Sequence, residues 1–382
     1  MTNYLRSTKR KSLLIKYFLD KVKYGITFCL DKRDPTIAYD LEKLFSDKKI
    51  LLIIDKNISQ DVLNNLFDDL RVSGFSIFTL FVDGEKKNKN EKLLFKILDE
   101  LINKSFTKKS VIISCGGGVI GDVSALAASL YYRGVIYFHI PTTMTAIVDS
   151  CIGGKTAINY RGIINAIGNY YHPRNVYISK NIINLIPQRE YVAGFSEIIK
   201  YGFIDNKKIL SLIKKNKNKY FNRDFNALSQ IIFLCLKSKI KLFKDDIFEN
   251  KKRLNLNFGH TFAHAIEMAL GNINKGHLLR HGEAVGIGML CEIYYCSGLS
   301  KNFFELKKLL RLFNLPFGLK NIISKKTFIK LQTDIYKNIF LDKKKIKDYP
   351  RYIKINTLGK ASIDYLNDFS KIKNTIKKII FR

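Results

Sequence analysis

Four of the six histidines in this chain lie close together, between residues 260 and 281. His260 and His264 are four residues apart, so they share one face of a helix. His281 stands directly before Gly282, where the next apolar segment begins. Imidazoles grouped in this way are typical ligands of a divalent metal, with zinc a natural candidate. The alternative is that these histidines belong to unrelated helix surfaces or to the core.

A catalytic metal site commonly has three protein ligands and one position open to substrate, and a carboxylate is a frequent member of the set. Glu197 is the best candidate for that carboxylate because it is the only acidic residue in the apolar segment 194–200. The sequence therefore predicts a site that combines Glu197 with histidines of the 260–281 segment.

A glycine-rich segment at 115–122 (Cys-Gly-Gly-Gly-Val-Ile-Gly-Asp) follows an apolar run. Glycines there let the backbone approach a phosphate, and the amides of the following helix, expected to begin near Asp122, can bind it. This context predicts a nucleotide-binding turn, although it is not a simple GxGxxG pattern and glycines also form plain tight turns. Asp55 and Glu85 are candidates for binding ribose hydroxyls, with capping of the next element as the alternative.

The segment 141–156 concentrates hydroxyls, a carboxylate, a diglycine and a lysine. Lys155 is the only lysine between Ser110 and Asn175, which favours a contact with an anion or cofactor over a solvated surface position. Further cations and a polar residue flank the motifs and together indicate an anionic substrate. They are Arg133, Lys200, Lys239, Arg253 and Asn257. In so basic a chain, each of them alone is more typical of the surface.

Short apolar runs precede several of these residues. They lie at 50–54, 75–82, 111–114 and 135–140, and helical patterns at 58–70 and 91–103 separate the first three. Apolar strands that alternate with helices predict a parallel, doubly wound α/β sheet covered on both faces. Ligands of such sheets bind beyond the carboxyl ends of the strands, which is where the polar residues stand.

The pattern changes near residue 185, where helical periods replace the alternation. Helices are expected at 188–203, 206–215, 226–244, 260–270, 282–297, 302–313 and 365–380. The sequence therefore predicts two domains, a Rossmann-like α/β domain over 1–185 and an all-α domain over 186–382.

The composition narrows the class of protein. The chain has 382 residues, 46% of them hydrophobic, which excludes a disordered or collagen-like chain. No apolar run approaches the roughly 20 residues of a membrane span. Six cysteines without CxxC spacing are typical of reduced thiols, so we expect a cytoplasmic protein. The basic start, 1–19, has features of a transit peptide, but a plain basic N-terminus is the simpler interpretation.

The formal net charge of +33 suggests a nucleic-acid-binding protein as one alternative. The excess is nearly all lysine, however, and accompanies a general enrichment in isoleucine and asparagine. The stretch 111–203, which holds most of the motifs, has only seven basic and four acidic residues. We therefore expect no nucleic acid and no membrane as partner, although the excess charge helps to attract an anionic substrate.

Together the motifs resemble those of the 3-dehydroquinate synthases, which are sugar-phosphate cyclases. The resemblance covers roughly residues 50–290, and the order and most spacings fit. The matching segments are Gly116–Asp122, Tyr132–Val135, Pro141–Thr143, Val148–Ser150, Gly153–Ala157, Gly194–Gly202, Arg253, Asn257–Glu267 and His281–Val285. Such a series is far more specific than a shared glycine loop.

The resemblance implies an NAD-binding domain over 1–185 and an α-helical metal- and substrate-binding domain over 186–382, in a homodimer. It implies that Glu197, His260 and His281 ligate zinc, or cobalt. The implied NAD contacts are Asp55, Asn57, Asp83, Gly84, Glu85, Gly117, Gly118, Val119, Ile120, Gly121, Asp122, Thr142, Thr143 and Lys155. The implied substrate contacts are Asp149, Asn165, Lys200, Lys239, Arg253, Asn257 and His264, with Arg133 reaching the phosphate in the partner subunit and Lys343 or Lys344 completing the pocket.

The implied reaction belongs to the shikimate pathway of aromatic amino-acid biosynthesis. It converts an anionic sugar phosphate, 3-deoxy-D-arabino-heptulosonate 7-phosphate, to 3-dehydroquinate and phosphate. The steps are transient oxidation by NAD, elimination of phosphate, re-reduction and intramolecular aldol closure, so the enzyme is a carbon–oxygen lyase. The alternatives are another sugar-phosphate cyclase, a metal-dependent polyol dehydrogenase and an inactive descendant. Lys239, Arg253 and Asn257 favour the synthase because its substrate carries a carboxylate.

The chain departs from the family pattern on the NAD side. Asn88 stands where the family has the lysine of a Gly-Glu-x-x-Lys turn, and Lys87 or Lys89 is the candidate substitute. Ile164 replaces the lysine of a Gly-Lys-Asn segment, and Leu185 replaces a threonine. These substitutions favour weaker NAD binding, whereas the retained glycine turn, Asp122 and Lys155 favour unchanged binding.

The loop between His264 and His281 is a few residues longer than the family pattern. His277 is therefore a rival of His281 as the third metal ligand. The segment Gly282–Val285 matches the family, which favours His281.

Overall fold

The computed structural model describes residues 6–7, 12–19, 22–29, 37–38, 40–41, 49–341 and 349–381. The chain divides into two compact units, Met1–Pro187 and Gln188–Arg382. Lys343 and Lys344, which the resemblance places in the substrate pocket, lie outside the described residues. No helix in the described ranges combines the length and the apolar character needed to cross a bilayer.

The first unit is built around an eight-stranded sheet. Its strands are β1 (Arg6–Ser7), β2 (Ser12–Leu19), β3 (Val22–Cys29), β4 (Lys49–Asp55), β5 (Ser76–Val82), β6 (Val111–Gly116), β7 (Ile136–Pro141) and β10 (Asn175–Ser179); β8 (Lys155–Tyr160) and β9 (Ile163–Tyr170) form a separate antiparallel hairpin. The helices are α1 (Gln60–Val72), α2 (Glu91–Asn103), α3 (Gly118–Leu130) and α4 (Lys180–Leu185).

The strand order is β1-β2-β3-β10-β7-β6-β4-β5. All neighbours from β3 to β5 pair in parallel, and only β1 and β2 are antiparallel. In β4, Leu51 and Ile53 belong to one core cluster, whereas Ile50, Leu52 and Ile54 belong to the other. Because successive side chains point to opposite faces, a strand covered on both sides is apolar throughout. The predicted α/β architecture is confirmed.

Helix α3 begins earlier than the sequence predicted. Its first residue is Gly118, and Gly117 precedes it in an extended conformation. The Gly121 N–H donates to the Gly117 carbonyl at 2.9 Å, so the helix has closed its first turn before Asp122. A Cβ on Gly121 would lie 3.0 Å from Cε1 of His139. Gly118 and Gly121 are therefore part of the helix, and Gly121 allows its close approach to the sheet.

The second unit is mainly helical. Its helices are α5 (Gln188–Ala193), α6 (Phe195–Ile204), α7 (Lys208–Lys215), α8 (Lys217–Phe221), α9 (Phe225–Phe243), α10 (His260–Asn272), α11 (His281–Ser297), α12 (Lys301–Leu312), α13 (Lys325–Leu341) and α14 (Phe369–Thr375). Two strands, β11 (Arg351–Thr357) and β12 (Lys360–Tyr365), form an antiparallel hairpin that the sequence analysis did not predict.

Two predicted helices differ from the structure. The helix expected at 188–203 is divided at Gly194, where glycine weakens helix formation. The helix expected at 365–380 begins at Phe369, because Tyr365 pairs with Arg351 as the last residue of β12. The turn of that hairpin contains Gly359 at φ 83°, a conformation that favours glycine.

Candidate active site

Glu197, His260 and His281 come together from three helices of the second unit. Glu197 lies in the first turn of α6, His260 begins α10 and His281 begins α11. Nε2 of His260 lies 3.8 Å and Nε2 of His281 lies 3.5 Å from Oε1 of Glu197. Ligands bonded to tetrahedral zinc at about 2.1 Å are about 3.4 Å from one another. The spacing of these atoms therefore fits a metal centre.

In each imidazole, the hydrogen bond made by Nδ1 determines that Nε2 is the nitrogen that can bind a metal. Nδ1 of His260 lies 3.2 Å from the Phe258 carbonyl, and Nδ1 of His281 lies 3.2 Å from Oε1 of Glu267. A carbonyl and a carboxylate only accept hydrogen bonds, so Nδ1 carries the hydrogen in both rings. The Nε2 lone pairs then face Glu197, as ligation requires.

The carboxylate of Glu197 is completely buried. The ammonium of Lys200, also completely buried, lies 2.5 Å from Oε2. A buried carboxylate is costly unless cations compensate it. Lys200 supplies one positive charge from the same helix. The carboxylate and the two imidazoles form a donor set that fits a divalent cation.

Helix packing fixes the two histidine-bearing termini. The Arg280 N–H donates to Oε2 of Glu283 at 2.8 Å, which caps the start of α11 next to His281. Arg189 also binds Glu283, at 2.7 Å. Gly288 of α11 packs against the carbonyl of Gly259, the residue before His260, so closely that a Cβ would collide with it. Both termini are therefore held by contacts outside the metal group.

Two further candidates, His264 and Lys239, lie in neighbouring helices of this unit. The ring of His264 is centred 5.4 Å from that of His260 and 6.2 Å from that of His281. Lys239 lies in α9 with only 7% of its surface exposed. His277 lies in the short turn Gly276–Leu278, is exposed, and does not belong to the metal group.

Arg253 and Asn257 lie on the helical turn Lys252–Asn257. The Asp246 carboxylate binds the backbone at the start of this turn. Asp246 accepts backbone N–H bonds from Asn250, Lys251 and Arg253 at 2.7, 2.7 and 2.9 Å. Burial alone would raise the pKa of Asp246, but these donors lower it overall. Oε1 of Glu249 accepts from Nδ2 of Asn257 at 2.7 Å. Arg253 itself is only 1% exposed.

In the first unit, the acidic candidates lie at the ends of β4 and β5. Oδ1 of Asp55 accepts from N and from Nδ2 of Asn57, both at 3.0 Å. A Cβ on Gly84 would collide with the Asp55 carboxylate. Asp83 binds Lys56 at 2.8 Å, and this bond with the Glu85 N–H lowers the pKa of Asp83. Glu85 itself is exposed.

The glycine turn between β6 and α3 is closely packed. A Cβ on Gly117 would lie 2.9 Å from Cγ2 of Thr143, and one on Gly118 would lie 3.3 Å from Oγ of Ser150. The Thr142 N–H donates to the Gly116 carbonyl at 3.0 Å. The first-turn amides of α3, which include Val119 and Ile120, have no acceptor within the helix. A helix terminus with a glycine cradle fits the pyrophosphate of a dinucleotide.

The remaining candidates of the first unit lie on several other segments. Lys155 begins β8 and lines one small cavity with Asp122. Asp149 lies in the π-helical segment Ala146–Ser150. Asn165 of β9 and Arg133 have the left-handed φ values of 50° and 61°. Arg133 is exposed.

The sequence matches the profiles of a known family over most of its length. The profile described as 3-dehydroquinate synthase N-terminal matches residues 79–193, and the one described as 3-dehydroquinate synthase C-terminal matches residues 194–345. A 3-dehydroquinate synthase of Thermodesulfovibrio yellowstonii is 33% identical over 86% of this chain and 90% of its own. One of Dictyoglomus thermophilum is 39% identical over 75% of this chain and 80% of its own.

The chain belongs to the 3-dehydroquinate synthase family. Among solved structures, a 2-deoxy-scyllo-inosose synthase in complex with carbaglucose-6-phosphate, NAD+ and Co2+ has a TM-score of 0.79 at 20% identity, covering 96% of this chain and 100% of its own. The 2-epi-5-epi-valiolone synthase of Streptomyces hygroscopicus subsp. jinggangensis, with NAD+ and Zn2+ bound, has a TM-score of 0.78 at 21% identity, covering 94% and 98%. These likenesses show the fold that this member of the family adopts.

The 3-dehydroquinate synthase motifs did not reveal every polar residue that supports the sites. The role of Glu267 on His281 was missed, although its spacing of seven residues from His260 places both on one helix face. A buried network behind the glycine turn was also missed. Oγ of Ser114 lies 2.6 Å from Oη of Tyr137 and 2.7 Å from Nδ1 of His139, and Tyr137 donates to the Gly121 carbonyl at 3.1 Å.

Proposed function

We propose that this chain converts 3-deoxy-D-arabino-heptulosonate 7-phosphate to 3-dehydroquinate and phosphate. The observation that carries the proposal is the buried group of Glu197, His260 and His281 beside the Lys200 ammonium, in a member of the 3-dehydroquinate synthase family. The buried cations Lys239 and Arg253 of the same unit suit an anionic substrate.

Two groups would supply the redox and Lewis-acid chemistry. NAD, when bound, takes up and returns a hydride, and zinc or cobalt, when bound, polarises substrate oxygens. Glu197, His260 and His281 would hold the metal. The segment Gly117–Asp122 at the start of α3 would bind the pyrophosphate of NAD, and Asp55 and Glu85 would bind its ribose hydroxyls. The further NAD contacts would be Asn57, Asp83, Gly84, Thr142, Thr143 and Lys155.

The chain's own residues position the substrate and stabilise charge. The Asp246 carboxylate holds the Arg253 backbone, and Nη1 of Arg253 donates to the Ile247 carbonyl at 2.6 Å, so the guanidinium is fixed before substrate binds. Glu249 orients the Asn257 amide in the same way. Pre-positioned donors of this kind stabilise developing charge without reorganising during the reaction. His264, Lys200 and Lys239 would complete the substrate contacts of this unit.

Asp149, Asn165 and Arg133 of the first unit are proposed as further substrate contacts. Tyr132 and Arg133 have consecutive left-handed φ values of 46° and 61°. Such strained backbone persists only where surrounding structure imposes it, and it concentrates at functional sites. We propose that Arg133 acts in the partner subunit of a homodimer. Light scattering of the full chain in solution would give the mass of two copies, and a single-copy mass would contradict this.

The proposed reaction is tested by incubating the metal-loaded protein with NAD and the heptulosonate phosphate. Phosphate release without net NADH accumulation is expected. Net NADH accumulation would indicate a polyol dehydrogenase instead. Release only from other hexose or heptose phosphates would indicate a different sugar-phosphate cyclase. The variant His277→Ala should behave as the wild type, and His260→Ala should release no phosphate.

A further inference from the structure

Ser114, Tyr137 and His139 lie behind the glycine turn in the first unit and are buried. Ser114 belongs to β6, and the other two belong to β7; none of the three is more than 3% exposed. The residues next to them in these strands, such as Ile113 and Phe138, belong to an apolar core cluster. A buried polar group is costly unless it has hydrogen-bond partners, so the partners of these three side chains matter.

The hydrogen bonds among these side chains have a fixed direction. Oη of Tyr137 lies 3.1 Å from the Gly121 carbonyl, and a carbonyl only accepts, so Tyr137 uses its single hydrogen there. Oγ of Ser114, which lies 2.6 Å from Oη, must then donate to Tyr137. Because the serine hydrogen is used as well, Nδ1 of His139, 2.7 Å from Oγ, must carry a hydrogen and donate it. The chain of donors starts at the imidazole and ends at a carbonyl of α3.

Gly121 is held from two sides by this network. The Tyr137 hydroxyl binds its carbonyl. The His139 ring packs against its Cα, where a Cβ would lie 3.0 Å from Cε1 and 3.1 Å from Nε2 of the imidazole. The Gly121 N–H in turn donates to the Gly117 carbonyl at 2.9 Å. The network therefore reaches from the interior of the sheet to the residue that precedes α3.

The network also joins the two elements on either side of the glycine turn. Ser114 lies two residues before Gly116, the last residue of β6, and Gly121 lies in the first turn of α3. Tyr137 of the neighbouring strand binds both of them. Strand and helix therefore cannot shift relative to each other without the loss of a buried hydrogen bond, which is costly. The amides at the start of α3 are thus directed before any ligand binds.

We propose that Ser114, Tyr137 and His139 are positioning residues for dinucleotide binding, which hold the glycine turn in the shape that accepts a pyrophosphate. This inference rests on the proposed function, in which the turn binds the pyrophosphate of NAD. A fully satisfied buried network makes the surrounding backbone rigid, and a preformed site binds more tightly because less ordering accompanies binding. Folding alone does not need the network, since apolar groups of the same shape are nearly as stable.

The test compares Tyr137→Phe with Tyr131→Phe in the full-length, metal-loaded protein. Each substitution removes only a hydroxyl that donates to a backbone carbonyl, since Oη of Tyr131 lies 2.8 Å from the Phe106 carbonyl. Phe106 follows α2 and lies outside the glycine turn. The NAD dissociation constant is measured by calorimetry. Tyr137→Phe should raise it about threefold to tenfold, the effect of one neutral hydrogen bond, and Tyr131→Phe should leave it unchanged.

Further measurements separate positioning from a general loss of stability. Amide hydrogen exchange in residues 117–125, without ligand, should be faster in Tyr137→Phe and unchanged in Tyr131→Phe. The kcat at saturating NAD and the metal content should match the wild type in both, because the network touches no reacting group. The double variant Ser114→Ala/Tyr137→Phe should bind NAD about as tightly as Tyr137→Phe, since both changes break the same chain. Equal dissociation constants of Tyr137→Phe and the wild type, or equal losses in the two tyrosine variants, would overturn the proposal.

A measurement on the unmodified chain covers the case in which Tyr137→Phe does not fold. Nitrogen NMR of the imidazoles at neutral pH should show His139 with its hydrogen on Nδ1, assigned by comparison with His139→Gln. A hydrogen on Nε2 would contradict the direction of the chain and with it the proposal.

Turnover of the heptulosonate phosphate by the wild type tests the proposed function separately, since the dissociation constant of NAD does not require turnover. A wild type that binds NAD without turnover would refute the proposed reaction and leave the comparison of the tyrosine variants valid. A wild type that binds no NAD would overturn both proposals.

Discussion

The two units of this chain hold their functional charges in opposite ways. In the second unit Glu197 and Lys200 are completely buried and Arg253 is 1% exposed. In the first unit Asp55 and Asp83 are only partly buried and Glu85 is exposed; Asp55 is the last residue of β4, and Asp83 and Glu85 follow β5. The first unit compensates its carboxylates both with residues nearby in sequence, as Asn57 does for Asp55, and with exposed lysines of other segments, as Lys56 does for Asp83.

This difference has an energetic consequence. Buried charges lose their hydration and depend on the partners that tertiary packing brings to them. Groups at strand ends keep much of their hydration, so their removal should leave folding largely intact. Substitutions in the second unit should therefore change metal content and folding together, whereas those near the strand ends should mainly change ligand affinity.

The largest effect is expected from His260→Ala in the second unit. Loss of one of three proposed ligands should abolish both stable metal content and turnover, with a fall in kcat/KM of about a thousandfold or more. Metal content is measured by plasma mass spectrometry after dialysis. His277→Ala is the matched control, since His277 lies outside the metal group. Full metal occupancy in His260→Ala would refute the ligand assignment.

Gly288→Ala should be nearly as damaging, although it touches no proposed ligand. The new Cβ would collide with the Gly259 carbonyl and displace the start of α10, where His260 lies. Overpacking costs about 1–3 kcal/mol of unfolding free energy and should reduce metal affinity as well. Gly271→Ala in α10 is the control, because a Cβ there meets open space. Equal stability of the two variants in urea would contradict this account.

Glu267→Gln should have an intermediate effect. Glu267 holds Nδ1 of His281 at 3.2 Å, and replacing such a carboxylate partner with a neutral amide should weaken metal binding by about 10- to 100-fold, about 1–3 kcal/mol. Competition with a chelator measures the affinity. Glu305→Gln, which removes a surface ion pair with Lys214 in the same unit, should bind the metal as the wild type does. If both variants lost affinity equally, orientation by Glu267 would not be the cause.

His139 is a buried titratable group of the first unit with a measurable pH signature. Burial lowers the pKa of His139 to about 4 from 6.5. The unfolded chain then binds a proton that the folded chain excludes, so stability is complete above pH 6.5 and falls as the pH is lowered towards 4. Between pH 7 and pH 5 the loss attributable to His139 is about 2 kcal/mol.

Urea unfolding of the wild type and His139→Gln at these two pH values isolates that contribution. The variant should show the smaller loss of unfolding free energy between pH 7 and pH 5. The same pH dependence in both proteins would mean that other groups cause it. His139→Gln should keep its metal content, because the metal group lies in the other unit.

Local patterns were enough to predict much of the fold. The run 50–54 is apolar at every position because β4 is covered on both faces, so the strand and its parallel environment could be inferred together. The hairpin of β11 and β12 was missed because its strands are only partly buried and show a weak pattern. The start of α3 was predicted too late, near Asp122, because a run of glycines is typical of a loop. In the structure Gly121 lies inside the helix and allows α3 to pack closely against His139.

The sequence by itself determined which residue types are present at the site. It also determined the short spacings that place the glycines in one turn and His260 and His264 on one helix face. The sequence also favoured Glu197, His260 and His281 as a set. Only the tertiary structure decided how close these side chains lie, and that Lys89 rather than Lys87 reaches Asp122. The physical reason is that residues within one turn or strand end are positioned by local backbone geometry. Contacts between helices or between a loop and a hairpin depend instead on how apolar faces pack, which a local pattern does not specify.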